Sequence, residues 1–508
     1  MGRSSGLVGA SAHGELKPGE FRHQGSGATY RIYRENTGYY LEFTKEDSLD
    51  PNRKVAGRRR LEYFIGSGAA ARAYVHSQDG FLFQAPVSYY SSAQRWDLPP
   101  GYQEYRYIHL SRPVDNDCLE CHASGVRPIP GTTNRYEPVP FLEGAIGCER
   151  CHGPGQQHVA AMSAKRGRGA REIINPAKLD ARRRDSVCAL CHLSGEARVP
   201  RAGRSLATFK PGDLLTDHVV SFVWEPADSP EVTVISHFER LWRSRCKEES
   251  GDRMWCGTCH DPHSVPAPSE RAQFFRQKCL GCHQDASCRL SPESRAKQAN
   301  HCAGCHMPTT RAADGGHSAF TDHFIRRPDR ATTATGQAAR SLAPFWGGTA
   351  HARERGLAYA DVAQTTQAPA HYARAFDLLK GAAATQTSDD MALMRLAFLY
   401  SRRQEHRLAM ELYERSLKLD PSSVTAAVNL ATYLARQGRM PEAIRLWQDT
   451  LTREAGLEAP GINLARAYLQ MGDPTAARNI LMKLQEHNPD SAAVREALAA
   501  ASVPATQK

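Results

Sequence analysis

Twelve of the fourteen cysteines fall in six copies of one string, Cys-x-x-Cys-His. The copies are Cys118–Cys121–His122, Cys148–Cys151–His152, Cys188–Cys191–His192, Cys256–Cys259–His260, Cys279–Cys282–His283 and Cys302–Cys305–His306. Two thiols at this spacing can add across the two vinyl groups of a porphyrin, and the adjacent histidine then lies beneath the ring as an iron ligand. The string therefore points to six covalently bound haem c groups, each with a proximal histidine. Zinc would accept the paired cysteines, but it does not require a histidine after every second one. A disulfide framework leaves those histidines equally unexplained.

Each iron has a further axial position, and its occupant separates electron carriage from catalysis. Fifteen of the 21 histidines lie outside the motifs. His351, His371, His406 and His487 belong to the linker or the C-terminal repeats and read as surface residues. Six others are candidate distal ligands by context: His76, His158, His237, His263, His317 and His323. His158 follows a Gly153-Pro154-Gly155 turn that frees the chain to reach a neighbouring ring, and His263 is too close to His260 to serve the same iron. His109, His218 and His301 are reserves. Met162, Met254 and Met307 could replace histidine at one or two sites, although core packing is the better account of each. Cys246 and Cys288 are left over; they could form a disulfide, and Cys246 could ligate iron.

Lysine and arginine give the 508-residue chain a formal net charge of +11. That excess does not require a nucleic-acid partner, because the two propionates of each haem would roughly offset it. No run approaches the roughly 20 apolar residues of a membrane span. Met1-Gly2-Arg3-Ser4 opens no secretory leader. Haem c is attached outside the bacterial cytoplasm, so a periplasmic or extracellular protein is expected, with its leader missing from this chain.

The elements that must position the motifs follow from composition. Ala28–Tyr33, a turn at Glu35–Gly38 and Tyr39–Phe43 read as a β-hairpin, and Phe81–Tyr90 as a third strand. Between them, Gly66-Ser67-Gly68 opens an Ala-rich segment of helical propensity that ends near His76. Residues 111–330 are rich in Pro, Gly and Arg and show little periodicity, so apolar porphyrins rather than side chains should form their core. Farther on, Leu396-Ala397, Leu430-Ala431 and Leu464-Ala465 recur every 34 residues, as do Ala409, Ala443 and Ala477. That period, with Gly438 and Gly472 at the turns, predicts tetratricopeptide repeats. The expected fold is mostly α with an irregular haem-packed region: a small β-containing module over 1–110, a hexahaem cytochrome c domain over 111–330, a linker over 331–352, and an α-solenoid with a terminal capping helix over 353–508.

Gly147-Cys148-Glu149-Arg150-Cys151-His152-Gly153-Pro154-Gly155 with His158, together with Cys256–His263, Cys302–Pro308 and Thr321-Asp322-His323, resembles multihaem cytochromes related to the cytochrome c-552/c-554 type. Joined to C-terminal repeats, the pattern is similar to a bacterial family of exported multihaem repeat proteins. The resemblance implies a signal peptide and one further Cys-x-x-Cys-His ahead of the β module. Neither is present in this chain, so a seventh haem is expected of a longer form. It also implies a carrier that passes single electrons along mostly bis-histidine haems, with the repeats docking a redox protein partner. The alternative is a nitrite, hydroxylamine or tetrathionate-type oxidoreductase with one open haem. Tyr102, Tyr105, Tyr107 and His109 could line its pocket, or form a structural aromatic cluster. A third reading makes the haems purely structural, but six are more than a fold requires.

Overall fold

The computed structural model describes residues 5–7, 16–47, 52–164, 173–225, 232–327, 340–385 and 388–502. Met1–Ser4 and residues 331–339 of the expected linker lie outside the described residues. The chain divides into two compact units, residues 2–146 with 355–508, and residues 147–354.

The first unit begins with two antiparallel sheets. One runs β1 (Ser5–Leu7), β6 (Tyr63–Ile65), β7 (Ala71–Gln78), β8 (Phe81–Tyr90), β9 (Arg95–Asp97); the other runs β2 (Gly19–Arg22), β3 (Thr29–Glu35), β4 (Gly38–Glu46), β5 (Lys54–Arg60). Tyr30, Ile32, Leu41 and Phe43 of one sheet and Phe64, Tyr74, Ala85, Val87 and Trp96 of the other share a single core. The expected hairpin is β3–β4. Its register runs to Glu35↔Gly38, and Asn36, at φ 52°, takes the left-handed turn position that asparagine tolerates. The Ala-rich segment is a strand, not a helix. β7 pairs with β8 from Ala71↔Tyr90 to Gln78↔Phe81, and this ladder, which buries Tyr74, Val75 and His76, outweighs the helix preference of alanine.

The helix Asn116–His122, capped by Asp115, packs Leu119 against Tyr63, Val75, Leu82 and Phe141. The first motif thus packs within the unit that holds the sheets. In the C-terminal part, helices starting at Asp390, Val424 and Glu458 alternate with helices starting at His406, Met440 and Pro474. Ala492–Ala501 caps them, and Ala352–Thr366 and Pro369–Thr385 precede them. Ala409, Ala443 and Ala477 are fully buried where the paired helices cross. Gly438 and Gly472 hold φ of 80° and 79° at the turns, where the first copy has Gln404 at 62°.

Sheets and repeats meet through buried polar contacts. Asp490 accepts from Lys45 Nζ at 2.6 Å and from the Ile108 amide at 2.8 Å. Arg495 pairs with Asp47 at 3.1 Å, and Arg453 donates to the Gly131 carbonyl at 2.8 Å. His487 is buried here rather than at the surface, because the sheet packs over it: its ring lies 5.3 Å from Phe83 and its Nε2 3.5 Å from Asp79.

Among the described residues of the unit over 147–354 there is a side-chain core. Ala189, Leu190, Leu193, Phe209, Leu215, Val219 and Phe238 pack together, with Trp242, Phe345 and Trp346 against them. Beside it runs a three-stranded sheet of Ala197–Pro200, Val219–Glu225 and Ser341–Pro344 that the sequence pattern does not announce. Residues 248–311, all described, form several short helices but contain no buried residue.

Candidate functional site

Each motif sits on a helical turn, where positions i, i+3 and i+4 share one face. The amide of His152 donates to the Cys148 carbonyl at 3.0 Å, that of His260 to Cys256 at 2.9 Å, and that of His283 to Cys279 at 3.0 Å. Cys188–His192 ends the helix Ala181–His192, and Cys302–His306 is a helix of its own. Local hydrogen bonding therefore sets both thiols and the imidazole on one side before any partner is met.

Backbone carbonyls then orient the rings. His152 Nδ1 donates to Ile174 O at 2.6 Å, and His306 Nδ1 donates to Arg326 O at 2.9 Å. With the proton fixed on Nδ1, Nε2 presents its lone pair to a metal. His323 is held in the same way, its Nδ1 donating to Thr321 O at 2.9 Å.

Candidate distal histidines lie beside proximal ones. The rings of His152 and His263 have centroids 5.9 Å apart and planes within 15° of parallel. His260 and His323 are 6.1 Å apart, His192 and His237 5.1 Å, and His237 and His323 4.6 Å. An iron between two imidazoles, with bonds of about 2 Å, places the centroids about 6 Å apart, which His152–His263 and His260–His323 match and the shorter His192–His237 separation does not. Burial pushes His237 down to about 3 and His323 to about 4, favouring the neutral imidazole that binds metal.

The elements bearing these rings are tied together. The helix His237–Trp242 presents His237 at its start, and its Glu239 carboxylate accepts from the Ser194 amide at 3.0 Å and the Gly195 amide at 2.5 Å, just past His192. Arg240, one residue on, makes a two-pronged pair with Asp322, Nε to Oδ1 at 2.8 Å and Nη2 to Oδ2 at 2.5 Å. Asp322 also accepts from the Phe324 amide at 2.9 Å, and Ser244 Oγ donates to the His323 carbonyl at 3.2 Å. Sequence reasoning misses Arg240 and Glu239. Their partners are 82 and about 45 residues away, and the sole signal is that Asp322 adjoins His323.

The residues present fit haem c. The strongest sign is the stretch 248–311, which carries three motifs on formed helices and yet buries nothing, leaving Val265 75% and Leu290 47% exposed. Regular backbone with no side-chain core is what a chain folded around large apolar rings would show. Thiols of different motifs also lie near one another, Cys188 near Cys256 and Cys279 near Cys302 and Cys259. All fourteen cysteines are free of disulfides, Cys246 half-buried and Cys288 exposed.

The other candidates lie elsewhere. His76 is buried on β7 in the sheet unit, its Nε2 3.2 Å from Leu110 O and its ring against Phe83. His109 is ringed by Tyr102, Tyr105 and Tyr107 at 5.6, 4.4 and 5.7 Å, where the buried Tyr102 belongs to the inter-sheet core. His218 spends both nitrogens on Thr208 and Asp213. His158 lies on the helix Gln156–Ser163, His317 beside Arg311, and His301 before the last motif helix. Met162 is 56% exposed; Met254 and Met307 follow short helices.

Residues 100–153, which hold the first two motifs, match the family described as cytochrome c554 and c-prime. Residues 392–423 and 434–501 match tetratricopeptide repeat families. No curated protein matches the chain. Similar solved structures include MamA, at 18% identity over 28% of this chain and 81% of that one with a TM-score of 0.25. Others are a tetratricopeptide repeat protein from Parabacteroides merdae ATCC 43184 (17%, 30% and 59%, TM-score 0.26) and YrrB, described as a TPR protein with an unusual peptide-binding site (19%, 28% and 73%, TM-score 0.25). The chain thus joins a segment of cytochrome c type, for which covalent haem c is implied, to C-terminal tetratricopeptide repeats. No helix among the described residues is long and apolar enough to cross a membrane.

Proposed function

We propose that the chain is an exported c-type cytochrome that carries single electrons on six haems and docks a redox protein partner through its repeats. When bound, each haem supplies a one-electron change between ferric and ferrous iron. The twelve motif cysteines would hold the porphyrins, and His122, His152, His192, His260, His283 and His306 would bind the irons from below. His263 would complete the site of His152; His237 and His323 would serve His192 and His260. The carbonyls of Ile174, Arg326 and Thr321 keep Nδ1 protonated, so the iron-facing nitrogens stay basic and fixed. The arginine-rich surface suits haem propionates, and the repeat solenoid suits a protein partner.

The observation that carries this reading is the meeting of proximal and candidate distal imidazoles, clearest in His152 and His263 at 5.9 Å. Low-temperature EPR of the oxidised protein tests it. Low-spin signals from every haem are expected. A high-spin signal from about one haem would mark an open iron and favour the oxidoreductase reading, with nitrite and hydroxylamine as the first ligands to try.

A further inference from the structure

Four imidazoles, His192, His237, His260 and His323, lie in one chain of ring contacts between 4.6 and 6.1 Å. His192 and His260 end their own motifs; His237 and His323 come from segments 86 residues apart in sequence, and neither has a covalent tether of its own. Something must hold those two beside the proximal imidazoles. The helix His237–Trp242 is one turn and a half long, far too short to be stable alone. The segment Asp322–Phe324 follows the three-residue strand Ala319–Thr321.

We propose that the buried Arg240–Asp322 ion pair is a positioning clamp that fixes His237 and His323 against each other, making the two iron sites of His192 and His260 one mechanical unit. This inference rests on the reading of those histidines as axial ligands. Both side chains of the clamp are nearly inaccessible, at 5% and 1% exposure. A guanidinium fork on a carboxylate fixes direction as well as distance, which a lysine cannot do. Arg240 stands three residues after His237, hence on the same helix face, and Asp322 directly precedes His323. The pair is braced on both sides. Arg326 contributes a second cation to Asp322 at 3.0 Å, and Glu239 anchors the same helix to the backbone just beyond His192. Displacing the helix therefore moves His237, His323 and the His192 loop together.

The test uses the full haem-loaded chain and four variants: Asp322→Asn, Arg240→Gln, the double variant, and Arg240→Lys. EPR of the oxidised protein and a potentiometric titration are read alongside the haem count. Removing the carboxylate should raise the potentials of two haems, and removing the guanidinium should lower them. In the double variant those charge effects oppose each other, yet the EPR signals of the same two haems should still shift, because the clamp is gone. Arg240→Lys keeps the charge and loses the fork, so it should shift the same two signals less. It also decides the matter if the glutamine variants lose haem. Unchanged EPR in both the double and the lysine variant would overturn the clamp. His237→Ala and His323→Ala separate the two claims: if neither alters any haem signal, the ligand reading itself falls; if both do while the clamp variants do not, the clamp alone falls.

Discussion

In the unit of residues 2–146 and 355–508, each layer of the fold is closed by named side chains. Tyr30 and Phe43 meet Tyr74 and Val87 between the sheets, and Leu481, Leu484 and Val494 seal the last repeat. Residues 248–311 of the other unit form helical turns with equally regular hydrogen bonds and bury nothing. Backbone regularity alone cannot offset the conformational entropy of ordering a chain, roughly 1–2 kcal/mol per residue. The difference teaches where the missing apolar area would come from: the repeats and sheets carry their own core, and residues 248–311 would receive theirs from the proposed haems.

Withholding the cofactor should break that comparison most severely. In chain produced without haem attachment, residues 248–311 should be cleaved about tenfold or more faster than the repeats in limited proteolysis. Equal protection of that stretch and the repeats would show that it has a core of its own. A smaller loss is expected at the seam within the first unit. Asp490→Ala removes the carboxylate that Lys45 and Ile108 share and leaves a cation buried, at a cost of about 3–5 kcal/mol by urea denaturation. The haem spectrum of that variant should not change.

His76 sharpens the contrast further. Burial pushes its imidazole down to about 3, whereas an unfolded histidine titrates near 6.5. As pH falls from about 6.5 toward 3, the unfolded state takes a proton that the folded state refuses, and stability is lost. The loss is about 1.4 kcal/mol per pH unit, or about 3 kcal/mol at pH 4.5. His76→Gln should flatten that part of the dependence and leave the EPR spectrum unchanged; an altered haem signal would make His76 a ligand instead. The smallest effect belongs to the repeats, where Gln404→Gly should stabilise by about 1 kcal/mol by relieving a left-handed backbone that the other copies give to glycine.

What the chain reveals before folding follows the same division. The repeats are legible because Ala409, Ala443 and Ala477 must each occupy a tight crossing, so geometry imposes a period on the letters. The hairpin at Asn36 is legible because its turn needs a residue that tolerates positive φ. The strand Ala71–Gln78 is hidden because alanine propensity is local and its ladder with Phe81–Tyr90 is not. The motifs announce themselves, since covalent attachment demands fixed spacing. The second ligands do not, because an imidazole can reach an iron from anywhere in the fold. Arg240 and Asp322 illustrate the limit, a pair separated by 82 residues with no spacing rule to betray it.

The central claim is that haem c supplies the core of residues 248–311 and the redox chemistry of the chain. Intact-protein mass spectrometry of material matured with haem-attachment machinery, with metal analysis on the same sample, tests it most directly. The account predicts six haem increments and one iron for each. A chain of unmodified mass that carries zinc would contradict it.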